Sequence, residues 1–322
     1  MNATTFRRLA TAIALSAGLT ASSGAFALDN LKIIAPAKPG GGWDQTARSM
    51  QEVMQSAGIA KSVTVENVAG AGGIVGLSQL ADKEKGNGNT LMVNGLVMVG
   101  AILTNQSAVT LEQTTPIARL TGEYEVIVVP KSSDIQNLGQ LIEKLKADPG
   151  SVAWGGGSAG GTDHILAGLI AQAVGADPTK INYVPFSGGG EALAAIMGGH
   201  VTAGISGLSE WVGQIQSGDL RALAISSPEK LEGVDIPTLK EQGVDVDLAN
   251  WRAVVAPPGL DDAEKTALLD AVDKMVKSDG WKKVLAEKDW MDLYMPGDEF
   301  SKYLASENAR VTDILKKLGL VT

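Results

Sequence analysis

The 322-residue sequence contains no cysteine and only two histidines, His164 and His200. The absence of cysteine excludes disulfide bridges, thiolate metal ligands and a lipid anchor on an N-terminal cysteine. Two histidines are too few for a histidine-rich metal site. The sequence therefore predicts a protein that carries no metal and no cofactor, and that is not tethered by a lipid.

Basic residues are also scarce, with 27 lysines and arginines against 36 acidic residues and a net charge of −9. A chain of this charge is not suited to bind nucleic acid or an anionic membrane surface. An anionic ligand would have to be held by local donors and dipoles, against the sign of the overall charge.

The N-terminal segment lacks an apolar run long enough to span a membrane. Its run from Leu9 to Leu19 is short and is interrupted by a serine and a glycine. Arg7 and Arg8 precede this run, and Ala25-Phe26-Ala27 has the small-x-small pattern of a cleavage site. Residues 1–27 are therefore predicted to be a signal peptide for export to the periplasm of a Gram-negative bacterium. Its removal would change the net charge from −9 to −11.

After residue 27, segments typical of strands alternate with segments typical of helices, which predicts an α/β fold with mainly parallel sheets. Helices are expected from Asp261 to Leu318, with a break at Pro296-Gly297. Two buried, proline-terminated runs end near residues 130 and 258 and are predicted to cross between domains. We therefore expect one domain from residues 28–130 plus 251–322 and a second from 131–250. The predicted strands are Leu31–Ala35, Ser62–Glu66, Thr90–Asn94, Pro116–Leu120, Glu125–Pro130, Ser151–Trp154, Ile181–Pro185, His200–Ser206, Leu220–Ser226 and Asn250–Pro258.

The stretch from Gly155 to His164 indicates a binding site. Five of its first seven residues are glycine, and it lies between a predicted strand and a helix that is expected to begin at Thr162 or Asp163. Such a turn brings several backbone N–H groups together at the positive end of the helix dipole. The sequence therefore predicts a turn that binds a carboxylate without needing a cationic side chain.

The same strand, glycine turn and helix pattern recurs at Pro36–Asp44 and at Phe186–Glu191, and Asn67–Gly73 leads into a further helix. In open α/β sheets such turns meet at the carboxyl ends of the strands. A cleft between the two domains would then present opposing helix N-termini to a small dianion. In the glycine-rich turn at Pro36–Asp44, Asp44 is expected mainly to stabilise the helix that follows. The Trp43 ring is expected to cover the ligand.

A catalytic interpretation competes with this one, because Gly156-Gly157-Ser158-Ala159-Gly160 matches the G-x-S-x-G motif of serine hydrolases. A secreted hydrolase with Ser158 as nucleophile is therefore the alternative function. It lacks a well-placed base, since His200 follows by only 42 residues and His164 lies six residues after Ser158. His164 is expected either to bond the neighbouring turn or to donate to the ligand.

Several segments together resemble the receptors of tripartite tricarboxylate transporters, the Bug or TctC-type binding proteins. They are Pro39–Arg48, Asn67–Gly73, Gly155–His164, Ser187–Leu193, Asn250–Arg252 and Ala256–Gly259, and the resemblance spans the chain after residue 27. The chain departs from many members at Ala35–Lys38, which lacks an aromatic-proline pair, and at Trp43, where a small residue is common.

The resemblance implies a two-domain periplasmic binding protein of the type II-like, Venus-flytrap form, expected to be a monomer. It implies that the cleft closes on citrate or a related di- or tricarboxylate, held partly through water, for delivery to a large and a small membrane subunit. Enzymatic activity is not expected. The predicted ligand contacts are Lys38, Gly40, Gly41, Gly42, Trp43, Asp44, Asn67, Asn94, Ser158, Ala159, Gly160, Gly161, Thr162, Asp163, His164, Ser187, Gly188 and Ser206.

Overall fold

The computed structural model describes residues 28–322, so the predicted signal peptide at residues 1–27 lies outside the described residues. The strands are β1 (Leu28–Ala35), β2 (Ala60–Asn67), β3 (Thr90–Gly95), β4 (Thr115–Pro130), β5 (Ala153–Gly156), β6 (Asn182–Pro185), β7 (Ala203–Gly207), β8 (Leu220–Ile225), β9 (Ala249–Ala256) and β10 (Met291–Pro296). The helices are α1 (Gly42–Ser56), α2 (Ile74–Lys83), α3 (Leu96–Thr104), α4 (Leu138–Ala147), α5 (Thr162–Ala173), α6 (Gly189–Met197), α7 (Leu208–Gln216), α8 (Asp262–Lys277), α9 (Asp279–Glu287) and α10 (Gly297–Lys317).

The strands form one curled, mixed sheet in the order β2-β1-β3-β9-β4-β7-β5-β6, with β8 and β10 also paired to β4. The strands that precede the glycine-rich turns pair in parallel, β1 with β2 and β3, and β5 with β6 and β7. The pairs that involve β4 or β9 are antiparallel. The α/β class is thus confirmed, and the antiparallel centre adds to the predicted parallel pattern.

Strand β4 connects the two parts of the sheet. Its first part pairs with β9 and β10 up to Tyr124, and from Glu125 onward it pairs with β7 and β8. The two strands predicted at Pro116–Leu120 and Glu125–Pro130 are therefore one continuous strand of 16 residues. The polar residues between them suggested a break, but they serve the functional site described below.

The C-terminal region differs from its almost wholly helical prediction, because residues 291–296 form strand β10. Its pairing with β4 is held by side chains as well as backbone: the Thr121 hydroxyl donates to the Met291 carbonyl at 2.7 Å, and Arg119 Nε donates to the Leu293 carbonyl at 2.9 Å. Partly exposed side chains and a short length left no clear alternation in the sequence.

One further local prediction needs correction, because the strand predicted at His200–Ser206 begins later, at Ala203. The helix that follows it, α7, has Gly207 as its N-cap residue, and the Ser209 hydroxyl donates to Glu123 Oε2 at 2.6 Å.

The core lies on both faces of the sheet. Along β4, Ile127 and Val129 belong to the larger hydrophobic cluster, whereas Val126 and Val128 belong to a smaller one that includes Trp211. This alternation follows from the two-residue period of a strand. β4 is therefore buried on both faces, as its β-branched run predicted.

Helices α1, α2, α5 and α6 follow the carboxyl ends of β1, β2, β5 and β6, so their N-termini and the glycine-rich turns before them gather at one edge of the sheet. Within residues 28–322, no helix combines the length and the apolar character needed to cross a bilayer.

Helix α3 packs directly against the turn before α5. A Cβ atom on Gly100 would overlap the carbonyl oxygen of Gly160, and Gly160 itself has φ +75° and lies against Thr104. The Thr104 hydroxyl also donates to the Gly100 carbonyl at 2.9 Å. The position of the glycine-rich turn thus depends on the absence of a side chain at Gly100.

This close approach predicts that Gly100→Ala lowers the free energy of unfolding by about 1–3 kcal/mol, the range typical of overpacking. Gly213→Ala is the matched control, because Gly213 is also inside a helix but its added Cβ would meet no atom within 4 Å. The control should be more stable than the wild type by about 0.4–1 kcal/mol. Urea unfolding measures both, and equal effects of the two substitutions would contradict the close packing.

Candidate functional site

The glycine-rich turns surround a cavity of about 310 Å³. It is lined by Gly41–Trp43 before and within α1, by Gly70–Gly73 before α2, by Gly157–Ala159 before α5 and by Pro185–Gly189 before α6. Residues of β7, α7 and β9 complete it. All four turns that the sequence predicted therefore meet at this cavity.

Half of the predicted ligand contacts line the cavity. They are Gly41, Gly42, Trp43, Ser158, Ala159, Asp163, Ser187, Gly188 and Ser206. The Trp43 ring packs against Gly73, where an added Cβ would lie 2.9 Å from its Cζ3 atom. Trp43 thus lines the cavity and also belongs to the larger hydrophobic cluster, at 7% exposure. Its contact with the ligand stays a prediction.

Gly40 and Asp44, two further predicted contacts, lie in the glycine-rich turn at Pro36–Asp44 but outside the cavity lining. Their hydrogen bonds stabilise the turn itself. Asp44 is in the first turn of α1, as predicted, and accepts from the Gly40 amide at 3.0 Å and from Arg48 Nε at 3.0 Å. The Asn67 amide donates to Asp44 at 2.9 Å and to the Ala37 carbonyl at 3.1 Å.

Lys38 also lies outside the lining, at the surface, where its ammonium group is bonded to Glu191 on α6. Asn94 is fully buried in β3 beside β9, and neither atom of its side-chain amide has a partner among the described residues.

The second half of the turn before α5 likewise makes structural contacts. Gly160 and Gly161 face α3, and the Thr162 hydroxyl donates to Asn250 Oδ1 at 3.2 Å. The Gly160 amide donates to Nδ1 of His164 at 3.0 Å. The His164 ring stacks on Tyr183 with 4.1 Å between centroids.

This arrangement gives His164 the first of its two predicted roles, a bond to the neighbouring turn. Burial lowers the pKa of His164 to about 4, so the ring is neutral at physiological pH. Because Nδ1 accepts from Gly160, that nitrogen is not available to take a proton from Ser158. Within residues 28–322, no hydrogen bond joins the Ser158 hydroxyl to a base, although the hydrolase alternative would require one.

The turns contain an unexpected feature, because the amides of three of them already bond carboxylates of the protein. The Gly42 amide donates to Glu210 Oε1 at 2.8 Å, the Gly157 amide to Asp163 Oδ2 at 2.5 Å and the Ser187 amide to Glu191 Oε2 at 3.3 Å. Acidic side chains of the protein therefore already bond some of the backbone amides at these helix N-termini. Ligand binding by the turns stays a prediction.

Sequence reasoning missed the charged centre of the site. Arg252 on β9 is 1% exposed, lines the cavity and is bonded through Nη2 to Glu123 on β4. The same Nη2 lies 3.6 Å from Glu210 Oε1. Two signals in the sequence could have revealed this cluster. One is Arg252, a charged residue inside the buried run Asn250–Pro258, and the other is the pair of acids Glu123 and Glu125 inside β4.

The surroundings hold the Arg252 guanidinium in one place. It lies against Gly42, where a side chain would overlap it, and 5.3 Å from the centre of the Trp290 ring. The Trp290 indole donates to Ser209 Oγ at 3.1 Å, and Ser209 in turn bonds Glu123. Arg252 Nη1 is buried without a partner among the described residues. A buried charged donor without an acceptor is costly.

Four carboxyl groups surround this single cation. Glu125 is fully buried, and burial together with the charge of Asp163 raises its pKa well above the ordinary value. Burial raises the pKa of Asp163 to about 6, although its bond from Gly157 acts in the opposite direction. Burial and the charge of Glu123 raise the pKa of Glu210 to about 8, against the effect of Arg252. Among residues 28–322, no group of acidic or histidine side chains is arranged to hold a metal ion.

The family model described as "Tripartite tricarboxylate transporter family receptor" matches residues 46–320 of the chain. Among curated relatives, the protein BugT of Bordetella pertussis is 29% identical over 295 residues, which cover 90% of this chain and 89% of BugT.

Solved structures show the same fold. Rpa4515 of R. palustris, solved with adipate, has a TM-score of 0.83 at 22% identity and covers 90% of this chain and 97% of its own. MatC from Rhodopseudomonas palustris, solved with bound malate, has a TM-score of 0.78 at 22% identity and covers 90% of this chain and all of its own. The predicted two-domain periplasmic binding fold is thereby confirmed.

The buried position of His164 yields a prediction for NMR. A His200→Gln variant leaves His164 as the one histidine of the 322-residue sequence. Its imidazole resonances should stay those of a neutral ring down to about pH 5 and change only near pH 4, because burial opposes the charged form. A midpoint near the ordinary value of about 6.5 would contradict the buried, turn-bonded ring.

Proposed function

The chain belongs to the tripartite tricarboxylate transporter receptor family, and we propose that it binds a citrate-like di- or tricarboxylate in the cavity at the glycine-rich turns. Delivery to the large and small membrane subunits of such a transporter, from the periplasm and as a monomer, is part of the same proposal.

The observation that carries the proposal is Arg252 Nη1, a buried charged donor that has no partner among residues 28–322 and belongs to a residue lining the cavity. A ligand carboxylate would satisfy this donor and would add to the charge-assisted bonds of the guanidinium group. A neutral acceptor would form a weaker bond with it.

The turn before α5 supplies neutral donors to the same cavity. Ser158 and Ala159 lie in this turn, and Ser158 also packs close to Gly72 of the turn before α2. We assign a second carboxylate of the ligand to this turn, where the dipole of α5 favours negative charge. A ligand with two carboxylates would then use both donor groups.

The size of the cavity and the relatives support the same class of ligand. About 310 Å³ is at the small end for ligand sites, as expected for a compact organic acid. Two proteins of the same fold were solved with malate and with adipate, which are both dicarboxylates.

Closure of the cavity between two domains is also proposed. We place the domains at residues 28–130 plus 251–322 and at 131–250. Two contacts join these two sets of residues: the Gly42 amide bonds Glu210, and Lys38 bonds Glu191. Breaking and re-forming such bonds would let ligand enter and leave.

The proposal predicts that citrate, malate or succinate at millimolar concentration raises the Tm in a thermal-shift screen, because a ligand that binds only the native state stabilises it. Four or more charge-assisted bonds of about 1.5–3 kcal/mol each, less the cost of ordering the ligand, correspond to about −8 kcal/mol, a micromolar Kd. Absence of any shift with every di- and tricarboxylate tested would overturn the ligand class.

Ser158→Ala should weaken binding of the acid that gives the largest shift by about 10- to 100-fold in calorimetry, because it removes one donor to a charged group. Ser151→Ala is the control, since the Ser151 hydroxyl donates to the Asp148 carbonyl at the surface, away from the cavity. Equal affinities of the two variants would remove Ser158 from the site.

A further inference from the structure

Glu210 occupies the place in the cavity where an anion would be expected. It lies in the first turn of α7, lines the cavity, and accepts from the Gly42 amide at the N-terminus of α1 at 2.8 Å. Its other oxygen, Oε2, lies against Gly189 at the N-terminus of α6, where a Cβ atom would overlap it. The chain's own carboxyl group thus stands between two helix N-termini.

The groups that face Glu210 cannot all be ionised at low cost. Glu123 and Glu125 extend from β4 and Asp163 from α5, while Arg252 on β9 is the one cation of this cluster. Arg252 is bonded to Glu123 and lies 3.6 Å from Glu210. Like charges in a buried cluster favour protonation of at least one member.

The other charged groups nearby do not supply a second cation. In α1, Arg48 is bonded to Asp44, which lies outside the cavity lining. Lys38 is bonded to Glu191 on α6 at the surface. Lys288, which lies 5.4 Å from the centre of the Trp290 ring, is bonded to Gln45 Oε1 at 3.0 Å. Glu210 therefore has only a share of Arg252, and its side chain is 9% exposed against 1% for Arg252.

We propose that Glu210 is the specificity-determining residue of the cavity: its carboxyl group is protonated and donates a hydrogen bond from Oε2 to a carboxylate of the ligand. This inference rests on the proposed function and names the residue that selects for a ligand carboxylate on this side of the cavity. Oε1 keeps its bond from Gly42, and Arg252 Nη1 supplies the charged donor beside it.

The selection has a simple physical origin. A protonated carboxyl group adds a donor without adding a charge, so a ligand carboxylate can enter a cluster that already contains several acids. An ionised Glu210 would repel the same ligand and would favour an ammonium group instead. The protonation state of one residue thus separates polycarboxylates from amino acids.

Citrate affinity is measured by calorimetry between about pH 7 and about pH 9.5. In this range the carboxylates of citrate are ionised, and Asp163, whose pKa is about 6, has already lost its proton. Wild-type affinity should be constant up to about pH 8 and then fall about tenfold per pH unit, as the Glu210 proton is lost. Glu210→Gln should bind within about threefold of the wild type at pH 7, with no fall at higher pH, because the amide donates without titrating.

Two further variants and one further ligand complete the test. Glu210→Ala should weaken citrate binding at least about tenfold at pH 7, since the donor is lost. Glu143→Gln, which changes an exposed acid on α4 outside the cavity lining, should keep the wild-type pH profile. Three results would overturn the inference: a pH-dependent fall that persists in Glu210→Gln, wild-type affinity in Glu210→Ala, or tighter binding of aspartate than of malate that Glu210→Gln abolishes.

A ligand-free measurement separates this inference from the proposed function. A carboxyl group whose pKa is raised on folding contributes stability that is fully present below its unfolded value and is lost as pH rises through the folded value. From about pH 4.5 to about pH 8, the wild type should therefore lose stability relative to Glu210→Gln. Parallel stability profiles would overturn the protonated state. No binding of any carboxylate at any pH would overturn the proposed function, whatever the profiles show.

Discussion

The buried guanidinium group of Arg252 is the interaction on which the geometry of the cavity depends. Its bond to Glu123 fixes the side chain at the centre of the sheet, on strands β4 and β9 that pair with each other. Gly42 lets the start of α1 approach it, and Trp290 lies beside it. Removing one partner of such a buried pair would leave an uncompensated charge, which typically costs 3–5 kcal/mol. The same arrangement leaves Nη1 without an acceptor among residues 28–322.

Two kinds of residue shape the glycine-rich turns: the glycines themselves, and acidic side chains that bond the turn amides. Glycines allow close backbone approach, as between Gly100 and Gly160, and they bring the four turns together around one cavity. Acids of the chain then bond part of the amides, with Asp163 on Gly157 and Glu210 on Gly42. The turns are thus held in shape before any ligand binds, which lowers the ordering cost of binding.

The sequence allowed the α/β class, most helices and the meeting of the glycine-rich turns to be predicted, because these follow from local patterns and from the position of turns at strand ends. Helix α5, for example, begins at Thr162, one of its two predicted start residues. The charged centre could not be predicted in the same way. Arg252, Glu123 and Glu210 are far apart in the chain, and their meeting depends on the antiparallel pairing of β4 with β9. Strand β10 was not predicted, because it forms by pairing with the distant strand β4 and its own residues show no clear strand pattern.

The most direct test of the account is a crystal structure of the protein with a bound di- or tricarboxylate. The account predicts one ligand carboxylate within hydrogen-bonding distance of Arg252 Nη1 and another at the turn that contains Ser158, in the cavity between the N-termini of α1, α5 and α6. A ligand seated elsewhere, for example in the groove between α3 and α10 that is lined by Ile102, Leu111 and Leu304, would contradict it. So would a ligand in the cavity that leaves Arg252 Nη1 without an acceptor.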